Sequence, residues 1–332
     1  MAEIVAPEGS PLGIAVVSCR SLEASLAFYC GEIGFDAGSV VDCSGADFEA
    51  VWQVPTGTQA RACLIRANAA PVGQILLLEF PGASRQQVQL QPNSLVFGLA
   101  NLNFYVRDIQ AVLTALRPKG YHFWSEPTQH SLTPGVGNPI EVIFDGPDGV
   151  AINLVELTSR DPTTRIGQMR VYMEAQGHTR TGFSAVVTSS HVCRDLNRAR
   201  AFYEDVLRMA PLIDEELAAP HVNAFLRLPE NARTHITFMQ GNHMFGKLAL
   251  SMPLNYAERC VDLTQRAHAP NIGYLAQAFE VSDFAAAVAA ADRLGVEFLL
   301  TPRRLLIPGL GERLLCEVRN PGSGALQLIY SR

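Results

Sequence analysis

The chain has 332 residues, which suits two domains of ordinary size, and 48% of the residues are hydrophobic against 17% charged. This composition excludes a disordered chain, because it supplies enough apolar side chains to bury proper cores. The net charge is -6 with both signs mixed along the chain, so no basic stripe is available to bind nucleic acid.

The N-terminal segment, the length of the apolar runs and the cysteines argue against further classes of protein. The opening MAEIVAPEGSPLGIAVV carries acidic residues and no basic region, so we expect no signal peptide. No apolar run approaches the length of a membrane span, so we expect no membrane partner. The seven cysteines stand singly without CxxC spacing, which argues against disulfides and a zinc site and favours a cytoplasmic protein.

The sequence pattern of residues 13–80 predicts a strand, a helix and three more strands. GIAVVSC, from Gly13, has the β-branched residues of a strand, and an amphipathic helix follows from Ser21. Three strand candidates come next: FEAVWQV from Phe48, RACLIRA from Arg61 and GQILLLEF from Gly73. We therefore predict one βαβββ module here.

A second module of the same order follows. LANLNFYV, from Leu99, predicts its first strand, and a helix runs from the N-cap residue Asp108 to Gly120. The module closes with IEVIF, a PDG turn and VAINLVEL, at 140–157. Period 2 places Asn101, Asn103 and Tyr105 on one face of their strand.

The second half of the chain repeats the first. Phe28-Tyr29 corresponds to Phe202-Tyr203, the segment from Val106 to that from Val281, and FDGPDGVAINLVEL to VRNPGSGALQLIYS, all at nearly one offset. The polar stretch 159–180 lacks a clear period and predicts a linker. We therefore predict two domains, 1–158 and 181–332, each made of two βαβββ modules.

In this order, the modules resemble those of the vicinal-oxygen-chelate superfamily (glyoxalase, bleomycin-resistance and extradiol dioxygenase proteins). The strand, the helix start before Phe28-Tyr29 and the closing DGPDGVAINLVEL carry the resemblance. It implies an α+β fold in which the four modules pair into two open β-barrel-like domains around small-molecule pockets. It covers almost the whole chain outside the first ten residues and the linker.

The resemblance also implies where a metal would be held, on the first and last strand of each module. In the first domain these positions are Ile14, Glu79, Asn101 and Asn153. In the second domain they are Thr188, Ala276, Ser251 or Met252, and Gln327. Isoleucine and alanine have no donor atom, so we expect no family-type divalent metal (Fe, Mn or Zn) and leave any other cofactor open.

Two alternative sites follow from the resemblance, one in each domain. In the first, Glu79 is the general base, and Asn101, Tyr105 and Asn153 bind the substrate. Because a carboxylate buried in an apolar strand needs hydrogen-bond donors, we expect Glu79 to meet the two asparagines.

In the second, His235 moves the proton, while Thr188 and Gln327 bind the substrate. His191 and His243 are alternative metal ligands outside the family positions, although His191 falls on the opposite strand face. The Gly/Pro-rich segment 131–141, together with His130, is a candidate for a lid, with a mere connection as the alternative. By default we expect His122, His130, His178, His221 and His268 to be surface or turn residues.

The resemblance favours a small-molecule enzyme, namely a lyase, isomerase or dioxygenase-like protein that acts on an aromatic or carbonyl-containing substrate. A metal-free binding protein of the bleomycin-resistance kind is the alternative. A true iron extradiol dioxygenase ranks last, because Thr188, Ala276 and Gln327 occupy the places of its ligands. The sequence leaves open which of the two domains holds the functional site and whether the chain forms a homodimer.

Overall fold

The computed structural model describes residues 8–83, 85–130 and 136–332, and its elements repeat one pattern four times. Each repeat has a strand, a helix and three further strands, which confirms the predicted α+β fold of βαβββ modules. We number these repeats modules one to four in chain order. Among the described residues, no helix combines the length and the apolar character that a membrane crossing requires.

The elements of the first two modules have the following bounds. Module one comprises β1 (Ile14–Cys19), α1 (Leu22–Leu26) with the π-helical continuation Ala27–Glu32, β2 (Asp36–Cys43), α2 (Ala46–Trp52), β3 (Ala60–Arg66) and β4 (Gln74–Glu79). Module two comprises β5 (Val96–Val106), α3 (Ile109–Leu116), β6 (Thr128–Gln129), β7 (Ile140–Asp145) and β8 (Ala151–Glu156).

The rest of the chain continues the pattern. The predicted linker contains a helix, α4 (Arg165–Gln176). Module three comprises β9 (Phe183–Val192), α5 (Leu196–Asp205), β10 (Ala210–Leu217), α6 (Pro220–Phe225), β11 (Thr234–Gln240) and β12 (Lys247–Pro253). A short β13 (Val261–Asp262) precedes module four, which comprises β14 (Gly273–Val281), α7 (Phe284–Arg293), β15 (Phe298–Ile307), β16 (Gly311–Arg319) and β17 (Leu326–Ser331).

The modules do not pair as we predicted. One sheet has the order β15-β16-β17-β14-β1-β4-β3-β2 and unites modules four and one. The other sheet has the order β10-β11-β12-β9-β5-β8-β7-β6 and unites modules three and two. We call the first sheet the outer half-barrel and the second the central half-barrel. The expectation that each half of the chain forms its own barrel was therefore wrong.

The physical reason lies in the edges of the first strands. In module one, β1 pairs in parallel with β4 and offers its other edge to β14, with Ile14 opposite Ala278. In module two, β5 pairs with β8 and offers its other edge to β9, with Asn103 opposite Thr188. Such an edge needs a partner for its backbone groups, and the first strand of any other module can satisfy it.

One predicted strand is a helix. FEAVWQV belongs to α2, and the missing strand of module one is β2, which lies before it. The buried residues of α2 are Phe48, Val51 and Trp52, at the i, i+3 and i+4 spacing of a helix face. The alternating pattern of a half-buried strand is absent from this segment, so the earlier prediction misjudged its period.

The two faces of the sheets bury different cores. In the outer half-barrel, Val16, Leu76, Ala276 and Leu328 belong to one apolar cluster, which fills the interior. A larger cluster lies under the helices and includes Val17 of β1 and the helix residues Phe28, Leu113 and Phe202. Because successive strand residues alternate between these faces, a shift of one residue decides which core a side chain enters.

Candidate functional site

A cavity of about 190 Å³ lies inside the central half-barrel. Its wall is mostly apolar, with Ile143, Val187 and Ile236 on the strands and Phe225 on α6. An apolar cavity of roughly 150 Å³ can hold benzene, so this cavity has room for a single ring with a short substituent. In contrast to the apolar filling of the outer half-barrel, this interior leaves space for a ligand.

A row of amide side chains crosses one wall of the cavity. The Nδ2 of Asn103 donates to the Oδ1 of Asn101 at 3.1 Å and to the backbone oxygen of Thr188 at 2.8 Å. The Nδ2 of Asn153 donates to the Oδ1 of Asn103 at 2.7 Å and to the Oε2 of Glu141 at 2.6 Å. We call Asn101, Asn103, Asn153 and Glu141 the amide row. It fixes the orientation of these polar groups before any ligand arrives.

The amide row keeps one buried acceptor for a ligand. The Oδ1 of Asn153 is buried and has no hydrogen-bond partner among the described residues. A buried polar atom of this kind costs free energy unless a partner reaches it, and a ligand hydroxyl or enol can supply that partner. The predicted face of β5 is confirmed, since Asn101, Asn103 and Tyr105 all line the cavity.

Tyr105 and Thr188, two predicted substrate-binding residues, also line the cavity. The hydroxyl of Tyr105 donates to the Sδ of Met169 on α4 at 3.1 Å, and burial raises the pKa of Tyr105 so that it stays protonated. Thr188 is buried and lies opposite Asn103 in the sheet. The structure therefore brings Asn101, Tyr105, Asn153 and Thr188 together, although the prediction placed Thr188 in the other domain.

Lys247 is a functional candidate that the sequence analysis missed, as is Glu141 of the amide row. Lys247 is the first residue of β12, lines the cavity and is only 2% exposed. Its Nζ donates to the backbone oxygen of Met244 and lies 5.4 Å from the centre of the Tyr105 ring. Burial, with a smaller effect from Arg165, lowers the pKa of Lys247 to about 7. The available signal was its rarity, because the sequence contains only two lysines, Lys119 and Lys247.

His130 also lines the cavity and is not the surface residue that we expected. It is buried, its ring lies edge-on to Phe225 at 4.8 Å between centroids, and its Nε2 has no partner among the described residues. Burial lowers the pKa of His130, against the opposite effect of Glu141. The predicted lid 131–141 lies partly outside the described residues, because 131–135 are not described, and Val136 lines the cavity.

Glu79 does not meet the asparagines, so that expectation was wrong. It lies at the end of β4 in the outer half-barrel and accepts a hydrogen bond at 2.8 Å from the Nε of Arg61. Arg61 also pairs with Glu23 of the α1 helix. The strand alternates, so that Leu78 points into the barrel interior and Glu79 points to the other face. An ion pair with arginine therefore replaces the predicted contact with amides.

His235 and Gln327 also point away from the cavity. Ile236 and Phe238 of β11 line it, whereas His235 faces outward with its side chain 40% exposed and its Nε2 2.5 Å from a carboxylate oxygen of Asp214. Gln327 is buried under the helix-covered face and donates to the Oε1 of Gln277 at 3.0 Å. His235 therefore misses the pocket by one step of the strand alternation, whereas Gln327 lies on β17 in the other sheet.

The alternative histidine ligands occupy separate environments. His191 is fully buried against Tyr203, away from the cavity as expected, and burial lowers its pKa to about 3. The Nε2 of His243 lies 2.9 Å from the hydroxyl of Tyr172, and burial lowers the pKa of His243 to about 4. Neither belongs to a cluster of three or more histidine, cysteine or acidic side chains, and the described residues contain no such cluster.

The residues of the central half-barrel do not fit a family-type divalent metal. The amide row offers one carboxylate, that of Glu141, beside neutral amides, and Lys247 brings an amine to the same wall. In the outer half-barrel, Ile14 and Ala276 belong to the apolar filling. Catalytic metal sites of this kind use three imidazole or carboxylate ligands, and the described residues of neither interior bring three such groups together.

The comparisons with known proteins agree with this fold. Residues 12–154 match the model of the Glyoxalase/Bleomycin resistance protein/Dioxygenase superfamily. Glyoxalase I from Zea mays is similar in structure, with a TM-score of 0.59 and 14% identity over 97% of this chain and 92% of that chain. A putative dioxygenase from Bacillus subtilis has a TM-score of 0.57 and 10% identity over 97% and 86%. No curated protein matches the sequence significantly.

Proposed function

We propose that this chain, whose residues 12–154 match the model of the Glyoxalase/Bleomycin resistance protein/Dioxygenase superfamily, is a small-molecule enzyme whose site is the cavity of the central half-barrel. Its substrate is an aromatic or other carbonyl-containing molecule, and its reaction is of the lyase, isomerase or dioxygenase-like kind. The observation that carries this proposal is that Lys247 and the amide row line the same cavity, whose wall is mostly apolar.

The apolar and the polar surfaces of the cavity contact different parts of the substrate. Phe225 and Phe238 contact the body of the substrate, whose burial supplies roughly 25 cal/mol per Å² of apolar area. The amide row holds the oxygen-bearing end, because the unpartnered Oδ1 of Asn153 accepts a hydrogen bond from a hydroxyl or enol. A substrate that carries such a hydroxyl or enol group is thereby oriented with that group towards the polar wall.

Lys247 supplies the group that gains and loses a proton. With a pKa of about 7, it is about half neutral near neutral pH and acts there as a general base and then as an acid. General acid–base catalysis of this kind contributes roughly 10²–10⁴-fold. Because the available donors do not fit a family-type metal, the proposal uses protein groups alone.

A metal-free binding protein is the second candidate. The amide row favours it, because Asn101, Asn103 and Asn153 bond to one another and leave few groups free for chemistry. In that case the cavity sequesters a hydrophobic molecule, and the polar groups fix only its orientation.

The test separates binding from turnover. Binding of phenylpyruvate, acetophenone and benzaldehyde is followed by thermal shift, and exchange of the hydrogens next to the carbonyl of phenylpyruvate or acetophenone is followed by NMR in D2O. An enzyme with a base beside the carbonyl accelerates exchange, whereas a binding protein only gains thermal stability. If all three compounds neither bind nor exchange, the proposed site is contradicted.

Two variants assign the result to the cavity. Ala249→Phe puts a ring into the cavity from β12 and should abolish both binding and exchange. His235→Gln changes the exposed outer face of neighbouring β11 and should leave both unchanged. Equal effects of the two variants would show that the signal does not come from the cavity.

A further inference from the structure

We propose, building on the function proposed above, that Lys247 is the nucleophile of this site and joins the carbonyl carbon of its substrate as an imine. This inference narrows the substrate class to an aldehyde or ketone. It also assigns a covalent step to a residue that the family-type ligand positions do not include.

The position of Lys247 suits this role. It lies opposite Thr188 of β9 in the parallel pair of β9 and β12, so it continues the polar wall that begins with Asn153 and Asn103. The neighbours of its amine in the structure are the Tyr105 ring and the backbone oxygen of Met244. The carbonyl oxygen of Met244 accepts an N–H bond from the amine and so helps to orient it.

The surroundings keep the amine reactive. Burial disfavours the charged form, and the positive charge of Arg165 adds to this effect, so the pKa of Lys247 falls to about 7. A neutral amine carries the lone pair that attacks a carbonyl carbon, and desolvated lysines are activated in this way. The cavity that binds the carbonyl compound therefore also activates the amine of Lys247 as the nucleophile.

The covalent step balances as follows. The lone pair of Nζ forms a bond to the carbonyl carbon, the carbonyl oxygen takes up a proton that the nitrogen releases, and a carbinolamine results. Protonation of its hydroxyl group from solvent breaks the carbon–oxygen bond and expels one water molecule. The product is a protonated imine, formed from one amine, one carbonyl group and one proton, and no oxidant or reductant is consumed.

The imine makes it easier to break a bond on the carbon next to the former carbonyl group. Its positive charge draws electrons from the neighbouring carbon, so a proton or a carboxyl group on that carbon leaves more easily than from the free ketone. Because the Lys247 nitrogen is bound in the imine and no longer serves as the base, Glu141, held by Asn153 on the cavity wall, is the carboxylate that accepts this proton. Proton transfer or bond cleavage next to a carbonyl group is therefore the reaction class.

The sequence provides an internal control for this chemistry. Lys119 is the only other lysine of the chain, and its side chain is 51% exposed and paired with Glu32. Apart from the α-amino group, any imine that a reducing agent traps must therefore lie on Lys119 or Lys247. Peptide mapping by mass spectrometry distinguishes the two without any mutation.

The experiment traps the imine in the full-length protein. The chain is incubated at pH 7 with benzaldehyde and sodium cyanoborohydride, and benzylation of each lysine is followed over time. Because burial lowers the pKa of Lys247 from 10.5 to about 7 and each unit raises the neutral fraction of an amine tenfold, we expect benzylation at Lys247 to be at least about tenfold faster than at Lys119. Benzyl alcohol, which fits the same cavity but forms no imine, should slow labelling of Lys247 and not of Lys119.

The outcomes separate this inference from the proposed function. If thermal shift shows benzaldehyde binding that Ala249→Phe abolishes, while both lysines react at equal rates, the imine is refuted and the binding cavity stands. If neither benzaldehyde nor benzyl alcohol binds and Lys247 is not labelled preferentially, both proposals fail. Preferential labelling of Lys247 that Ala249→Phe suppresses supports both.

Discussion

Replacing Lys247 by methionine should stabilise the protein at neutral pH, and this gain should shrink as the pH rises towards 10. The folded protein lowers the pKa of Lys247 from 10.5 to about 7, so the unfolded chain binds more protons between these values. The free energy of unfolding of the wild type should therefore increase with pH in this window. Methionine carries no proton, so the variant lacks this contribution.

The size of the effect follows from the shift. Each pKa unit corresponds to about 1.4 kcal/mol, so the penalty of the buried ammonium is on the order of 5 kcal/mol at most below pH 7. It should decrease by about 1.4 kcal/mol per pH unit between 7 and 10. The variant also leaves the backbone oxygen of Met244 without its donor, which subtracts roughly 1–3 kcal/mol from the gain at every pH.

The other titratable and charged groups around Lys247 do not produce the same change of the free energy of unfolding with pH. Burial lowers the pKa of His243 to about 4 and raises the pKa of Tyr105, so in the folded protein neither changes its charge between pH 7 and 10. Arg165 stays charged throughout this range. Glu141 lies in the same cavity and is present in both proteins, so it cancels in the difference.

The assay is urea unfolding of wild type and Lys247→Met at pH 6, 7, 8, 9 and 10. Lys119→Met is the matched control, because it removes an exposed lysine whose ion pair contributes little to stability. We expect the curves of the wild type and Lys247→Met to converge with rising pH and those of the control to stay parallel. A pH-independent difference for Lys247→Met would refute the reasoning, because the ammonium would then carry no burial penalty.

Three further predictions test other parts of the structure. His191 is buried without hydrogen-bond partners among the described residues, and its pKa falls to about 3, so the wild type should lose about 1.4 kcal/mol per pH unit between pH 6 and 4. His191→Phe removes this contribution alone, so the free energy of unfolding of the variant should fall by about 1.4 kcal/mol per pH unit less than that of the wild type, because His243 is present in both proteins. Acid unfolding followed by circular dichroism checks this. Asn103→Ala removes the centre of the amide row and should cost roughly 1–3 kcal/mol in urea unfolding; a silent variant would contradict the bonding described. Glu79→Gln should leave the hydrogen exchange of phenylpyruvate unchanged, because Glu79 lies in the outer half-barrel, and a large loss of exchange would restore it as a catalytic candidate.

The sequence by itself determined the modules and much of one strand face. The repeat predicted four βαβββ units, and the N-cap at Asp108 is confirmed because its side chain accepts a hydrogen bond from the backbone of Ala111. Period 2 along β5 placed Asn101, Asn103 and Tyr105 on one face, and all three line the cavity. These are local properties, since hydrogen-bond capping and side-chain alternation involve residues close together in the chain.

The tertiary structure alone decided which modules pair and which side chains reach a pocket. Every module offers an equivalent first-strand edge, so the sequence contains no local signal that joins β5 to β9 and β1 to β14. For the same reason Thr188 joined Asn101 and Asn153, while Glu79 and Gln327 lie in the other sheet. His235 fell on the outer face of its strand through a difference of one residue. The importance of Lys247 depends on burial among strands distant in sequence, because only that burial lowers its pKa and brings its amine to the cavity.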